Sequence, residues 1–74
     1  MDVLLFGIIA ERAGTHRLQV EASSTAELKR QLGARIDGME TLSYALAVDR
    51  VIVNDDVPLS GSEEIAVLPP FAGG

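Results

Sequence analysis

Only one stretch of this chain carries a helical period. Behind Ser24-Thr25-Ala26-Glu27, the residues Leu28, Leu32 and Ile36 recur every four positions and form a single apolar stripe. The other apolar runs are short and strand-like, so one helix has to cover whatever sheet they build. Ser24 with Glu27 three residues later predicts a capping box, in which each side chain satisfies an orphan amide of the first turn. Lys29, Arg30 and Arg35 occupy the other faces and later turns, a solvated face that suits the helix dipole. Gly33 weakens the last turns, and Gly38 is a natural stop.

The first apolar run, Val3 to Ala10 (VLLFGIIA), is too short for a typical helix and apolar on both alternating sets. Val3, Leu5 and Ile9 would point one way and Leu4, Phe6 and Ile8 the other, which predicts a central strand. Glu11 to Thr15 is a polar break with Gly14 available for a positive φ. Arg17 to Ala22 then alternates, with Leu18, Val20 and Ala22 inward, and forms a hairpin with the first run. Beyond the loop GMETLS, the segment SYALAVDRVIVN predicts a strand with a kink or hairpin near Asp49-Arg50. Asn54-Asp55-Asp56 is a turn, and Pro58 with Ser60-Gly61 marks irregular chain. In EEIAVLPP, Ile65 and Val67 face one side, Ala66 and Leu68 the other. Pro69-Pro70 end the ladder because neither has an amide hydrogen. The expected fold is an α+β roll, a mixed sheet of four to five strands with one main helix packed on one face. The first and last apolar runs take its centre. Residues 1–68 are expected to form the domain and residues 69–74 an extended tail.

At 74 residues the chain makes one domain, and such a domain buries only roughly 60% of its unfolded surface. That leaves little material to enclose a substrate pocket and points to a carrier, a binding module or a subunit. Hydrophobic residues at 47% and charged residues at 23% place it among folded proteins. Without cysteine there is no disulfide and no thiolate metal site, so any sulfur chemistry arrives from outside the chain. The net charge of −5 and the scattered basic residues argue against nucleic acid and suit a basic partner protein or plain solubility. Asp2 stands where a targeting segment needs positive charge, and no run approaches the roughly 20 apolar residues of a membrane span. No membrane association and a cytoplasmic location are expected.

Conventional catalytic groups are sparse. His16 stands alone beside the hairpin turn, with no cysteine or acid pair to build a triad or a metal site. Asp55-Asp56 and Glu63-Glu64 read as solvated loop charge rather than a cation site, and no metal is expected. Gly14 and Gly61 fit no phosphate-binding pattern. Tyr44 and Phe6 read as sheet packing rather than stacking platforms.

The distinctive segment is LPPFAGG. Six residues from Pro69 reach on the order of 20 Å when extended, and Pro69 and Pro70 favour a polyproline-like exit. Phe71 is an apolar anchor for a partner. Ala72, Gly73 and Gly74 are slender enough to thread a narrow channel, and glycine lets an enzyme reach the terminal carbonyl from either side.

This order and size match the β-grasp, or ubiquitin-like, arrangement. The segment DVPLSGSEEIAVLPPFAGG resembles the C-terminal signature of the small subunit of molybdopterin synthase, a β-grasp sulfur carrier. Leu59, Gly61, Glu63, Pro69, Pro70, Gly73 and Gly74 carry the match. VLLFGIIAERAGT is similar to that family's opening strand and turn. Ser62 and Asp49 depart from it, where aspartate and a strand-end asparagine are usual.

The resemblance implies a cycle with no bound cofactor. A ubiquitin-activating-enzyme-like adenylyltransferase would consume ATP to adenylate the Gly74 carboxylate, and sulfur transfer would leave a terminal thiocarboxylate. The loaded tail would enter the large subunit of molybdopterin synthase and deliver sulfur to cyclic pyranopterin monophosphate in a heterotetramer. The chain would not be catalytic alone. Phe71, Leu59, Leu68 and Phe6 are the expected partner-binding residues, the last three reading equally well as core. Alternatives on the same fold are the thiamine-thiazole sulfur carrier, which usually lacks the Pro-Pro pair, a ubiquitin-like protein modifier, and a non-covalent module with an inert tail.

Overall fold

The computed structural model describes residues 1–69. The chain runs β1 (Asp2–Leu5), α1 (Gly7–Ala13), β2 (Arg17–Gln19), α2 (Thr25–Arg35), a 3-10 turn (Met39–Thr41), β3 (Ala45–Val48), β4 (Val51–Val53) and β5 (Ile65–Leu68). The strands form one mixed sheet in the order β2-β1-β5-β3-β4. β1 and β5 pair in parallel at its centre, and the other pairs are antiparallel. The fold is a β-grasp roll, and the first and last apolar runs do take the centre of the sheet.

Val3 to Ala10 is not a single strand. β1 stops at Leu5, Phe6 remains extended at φ −131, and Gly7 turns left-handed at φ 58 to open α1. A glycine is what this reversal needs, because a Cβ is penalised at positive φ. Ile9 and Ala10 turn inward with Ala13 packed behind them, an i, i+1, i+4 face that the continuous apolar run conceals. Gly14, at φ 75, closes the helix by donating its N–H to the Ala10 carbonyl at 2.9 Å. The β1–β2 pair is therefore joined through a helix rather than a tight turn. β2 is shorter than the alternation suggests, although Val20 is fully buried.

In α2, Ser24 is the N-cap and its Oγ accepts the Glu27 N–H at 3.2 Å. The Glu27 carboxylate does not complete the box; it accepts from the Ser23 hydroxyl and from Gln31. Leu28, Leu32 and Ile36 are all buried and pack on Val3, Leu5, Leu46, Ile65 and Val67 of the sheet. The helix ends at Arg35, with Ile36 as C-cap, and Gly38 at φ 76 instead starts the 3-10 turn.

Two polar fastenings hold the loops. The buried Thr25 hydroxyl donates to the Asp55 carbonyl and accepts the Val57 N–H at 2.9 Å, while Asp56 Oδ1 accepts the Ala26 N–H at 3.0 Å. Reciprocal backbone bonds, Thr25 to Val57 and Leu59 to Ser23, complete this strap. In the β3–β4 hairpin, Asp49 and Arg50 both take positive φ, 49 and 72, the two-residue turn that suits strand twist. Asp49 meets the strain by tying the turn to β5: its N–H reaches the Glu64 carbonyl and its carboxylate accepts the Glu64 N–H, each at 2.9 Å.

Candidate functional site

Strand alternation divides the sheet into two faces. Val3, Leu5, Leu46, Ile65 and Val67 point towards α2 and lie in the core. Leu4, Ala66, Ala47 and Ile52 follow one another across β1, β5, β3 and β4 on the opposite face, fixed there by the pairs Leu4↔Ala66, Ala47↔Ala66 and Ala47↔Ile52. Leu68 and Ala45 form the next pair along. Across β1, β5, β3 and β4 this row is apolar and its alanines keep it shallow, with Ala47 buried at 6% exposure; on β2 it continues into Arg17, the partner of Leu4. Among the described residues, the buried apolar side chains of α1 and α2 belong to the core on the other side of the sheet.

β5 brings the chain to Pro69 at one end of that face. The register Leu5↔Val67, carried on, sets Phe6 beside Leu68 and Gly7 beside Pro69. A Cβ built on Gly7 would lie 3.0 Å from Pro69 Cγ, so the proline ring rests against the glycine. Pro69 is half-buried, and Leu68 is half-buried on the outer face. Phe6 is exposed, 44% of its surface in solvent, so it is not sheet packing and borders the exit of the chain. Tyr44 does pack against the core, and burial pushes its hydroxyl pKa up.

Leu59, expected at the partner surface or in the core, takes the core place: the strap from Thr25 and Asp56 draws it inward to 8% exposure among the core side chains. Pro70, Phe71, Ala72, Gly73 and Gly74 lie outside the described residues. Two residues that the periodicity did not single out border the site, Gly7 and Ile52. The signal for Ile52 was present in the VIV run of an edge strand, where alternate side chains must leave the core.

The opposite end of the sheet is acidic. A recess of about 240 Å³ lies there between Met1, Asp2, Arg17 and the Ser62–Glu64 turn, far along the strands from Pro69. Its form is set by Glu63, whose carboxylate accepts the Ser60 N–H at 2.7 Å and the Gly61 N–H at 2.9 Å. Those amides hold the Glu63 carboxyl down at about 2. A glutamate so committed fastens a turn and is unfit to shuttle a proton near neutral pH. His16 is exposed and only its backbone carbonyl is engaged, by the Leu5 N–H. Among the described residues, no cluster of three or more histidine, aspartate or glutamate side chains is placed to hold a metal ion. Nor is any described helix long and apolar enough to cross a membrane. The described geometry is thus the end of β5 at Pro69, with Gly7 and Phe6 beside it and an apolar row of the sheet leading up to it.

Two comparisons bear on this geometry. Residues 3–74 match the model of the ThiS family. The chain is also similar to the molybdopterin synthase sulfur carrier subunit of Escherichia coli (strain K12), with 31% identity over 80 residues that take in 100% of this chain and 99% of that protein.

Proposed function

Because this chain belongs to the ThiS family, we propose that it is the sulfur carrier subunit of a molybdopterin synthase, with residues 69–74 as the delivering tail. The observation that carries the reading is the end of β5 at Pro69: the central strand ends beside the apolar row on the face of the sheet opposite α2, and the sequence that follows is Pro-Phe-Ala-Gly-Gly. Pro69-Pro70 and the full-length likeness to a molybdopterin synthase subunit favour this pathway over thiamine-thiazole synthesis or protein modification.

In the proposed cycle, a carboxylate oxygen of Gly74 attacks the α-phosphorus of ATP on an activating enzyme. An O–P bond forms, the α–β anhydride bond breaks and pyrophosphate leaves. Carboxylates are poor electrophiles, and the adenylate is a good one. A sulfide-level nucleophile then forms a C–S bond at the Gly74 carbonyl carbon, AMP departs, and a thiocarboxylate remains. Inside the large subunit the thiocarboxylate sulfur forms a C–S bond to a side-chain carbon of cyclic pyranopterin monophosphate as a C–O bond at that carbon breaks and its oxygen group leaves. Water then attacks the Gly74 carbonyl, the Gly74 C–S bond breaks, the sulfur stays on the pterin and the carboxylate returns. No cofactor is held by the carrier, and the groups that move protons belong to its partners. The work of this chain is docking and reach: Leu4, Ala66, Ala47, Ile52, Leu68 and Phe6 supply an apolar landing surface, and Phe71 anchors the tail. The cycle is assigned to the cytoplasm.

Co-expression with an activating enzyme followed by intact-mass measurement tests the reading. The expected result is a shift equal to replacing one oxygen by sulfur, lost on deleting Gly74. The loaded protein, mixed with large subunit and cyclic pyranopterin monophosphate, should yield molybdopterin. Absence of the shift with every activating enzyme refutes a carrier role, and covalent ladders on other proteins favour a modifier. Phe71→Asp is expected to weaken large-subunit binding without changing the fold, and unaltered affinity would remove Phe71 from the interface.

A further inference from the structure

β1 and β5 run side by side in parallel until Leu5 and Val67; then β1 turns away into α1 while the chain after β5 continues past it. Gly7 sits at this parting. Its φ of +58 is cheap only for glycine. A Cβ on Gly7 would also fall 3.0 Å from Pro69 Cγ and 3.3 Å from Pro69 Cβ, closer than side-chain carbons ordinarily approach. The contrast with other glycines is informative. Gly14 and Gly61 also take positive φ, yet a Cβ on either would meet nothing within 4 Å. Conformation alone accounts for those two, whereas Gly7 in addition leaves room for the proline ring.

Pro69 is well suited to be held there. Its own ring fixes φ, and Pro70 restricts its ψ to extended values. A ring held at one place therefore hands a defined direction to the chain that follows. Five residues follow Pro69, and fully extended they reach at most about 17 Å, which leaves little slack to offset a misdirected start. Errors of even about 1 Å at a reacting centre slow chemistry by orders of magnitude.

We propose that Gly7 is a positioning residue: its bare Cα is the seat for the Pro69 ring, and that seat aims the tail at the site where Gly74 is activated. The proposal rests on the carrier reading above. It is distinct from the conformational need for glycine in the turn, because it assigns Gly7 an effect on turnover that passes through Pro69.

The test uses the full chain and an ATP-dependent activating enzyme, with adenylation followed by ATP–pyrophosphate exchange. Wild type, Gly7→Ala, Pro69→Ala and the double variant are compared, with melting temperatures measured beside them. In Gly7→Ala, kcat is expected to fall about tenfold or more while KM for the carrier stays within about twofold, since the landing surface is unaltered. Pro69→Ala should also lower kcat, and the double variant should be no slower than the slower single variant, because both changes break one contact. A purely structural glycine would lower the melting temperature without this split between kcat and KM. A folded Gly7→Ala chain with wild-type kcat overturns the seat, and so do losses that multiply in the double variant. If Gly7→Ala does not fold, Pro69→Ala decides, since it leaves the backbone of β1 and α1 untouched: a fall in kcat at unchanged KM upholds the proposal, and wild-type kcat overturns it. A wild-type chain that no activating enzyme adenylates removes the carrier reading and this proposal together, whereas an active wild type beside indifferent variants removes the seat alone.

Discussion

The two faces of the sheet come from the same strands but are built to different ends. Towards α2, the strands present branched side chains: Val3, Leu5, Leu46, Ile65 and Val67 are each at most 1% exposed. On the other side, the central positions of β3 and β5 carry Ala45, Ala47, Ala66 and Leu68, with Leu4 and Ile52 on the flanking strands. Bulk on the inner face excludes water and specifies one packing. Small side chains on the outer face expose little surface to penalise the free domain, yet they leave a shallow apolar plane that a partner can cover. Strand alternation lets one segment of eight residues or fewer serve both ends at once.

The strongest test of this division truncates an inner residue. Ile65→Ala is expected to cost about 2–5 kcal/mol, a large share of the margin of a domain this small, and urea unfolding would measure it. A loss below about 1 kcal/mol would mean that the inner face does not carry the fold. Next comes the outer face. Ile52→Asp, at a side chain 51% exposed, should leave stability within about 1 kcal/mol and weaken large-subunit binding about tenfold or more. Unchanged binding would show that the partner docks elsewhere. Of smaller effect is the strap that brings Leu59 inward to close the inner face. Asp56→Ala removes the carboxylate that caps Ala26 and should cost about 1 kcal/mol, with faster hydrogen exchange at Leu59.

The smallest effect lies at the acidic end of the sheet and depends on pH. The Glu63 carboxyl is lowered from 4.5 to about 2 by the amides of Ser60 and Gly61. Its ionised form is therefore favoured in the folded state. The contribution is fully present above pH 4.5 and drains away as the pH falls towards 2. Glu63→Gln should remove that segment of the stability–pH curve and leave the curve between pH 5 and 7 unchanged in shape. Identical acid slopes for variant and wild type would show that the turn gains nothing from the charge.

How far the sequence revealed this molecule depended on whether the cause was local. The stripe Leu28, Leu32 and Ile36, the alternation Ile65 to Leu68, and the hairpin at Asp49-Arg50 were legible because each obeys one period or one turn rule within a few residues. The run VLLFGIIA hid α1, since a segment apolar on every side fits a buried strand and a buried helix alike, and only the left-handed turn at Gly7 separates them. Leu59 was legible as surface or core, and the sequence did not choose between them. Its burial follows from Thr25 and Asp56, 31 residues apart, which fasten a loop to the start of α2, and no periodicity reports such a bond. Alternation set Phe6 opposite Val3 and Leu5, and Leu68 opposite Ile65 and Val67, but only the register showed that the two lie beside each other. For the tail, residue types supplied only its slenderness and reach, and the chemistry expected of it came from the family resemblance.

The position of β5 has a consequence for how the sheet is joined. β1 with β2 forms one pair and β3 with β4 another, and no bond of the sheet joins the two until β5 enters between β1 and β3. Each pair by itself has an open edge and too little sheet to stand alone. The strand that completes the fold is also the strand that leads into the tail. A chain that lacks this last strand therefore lacks both a joined sheet and the residues that follow Pro69.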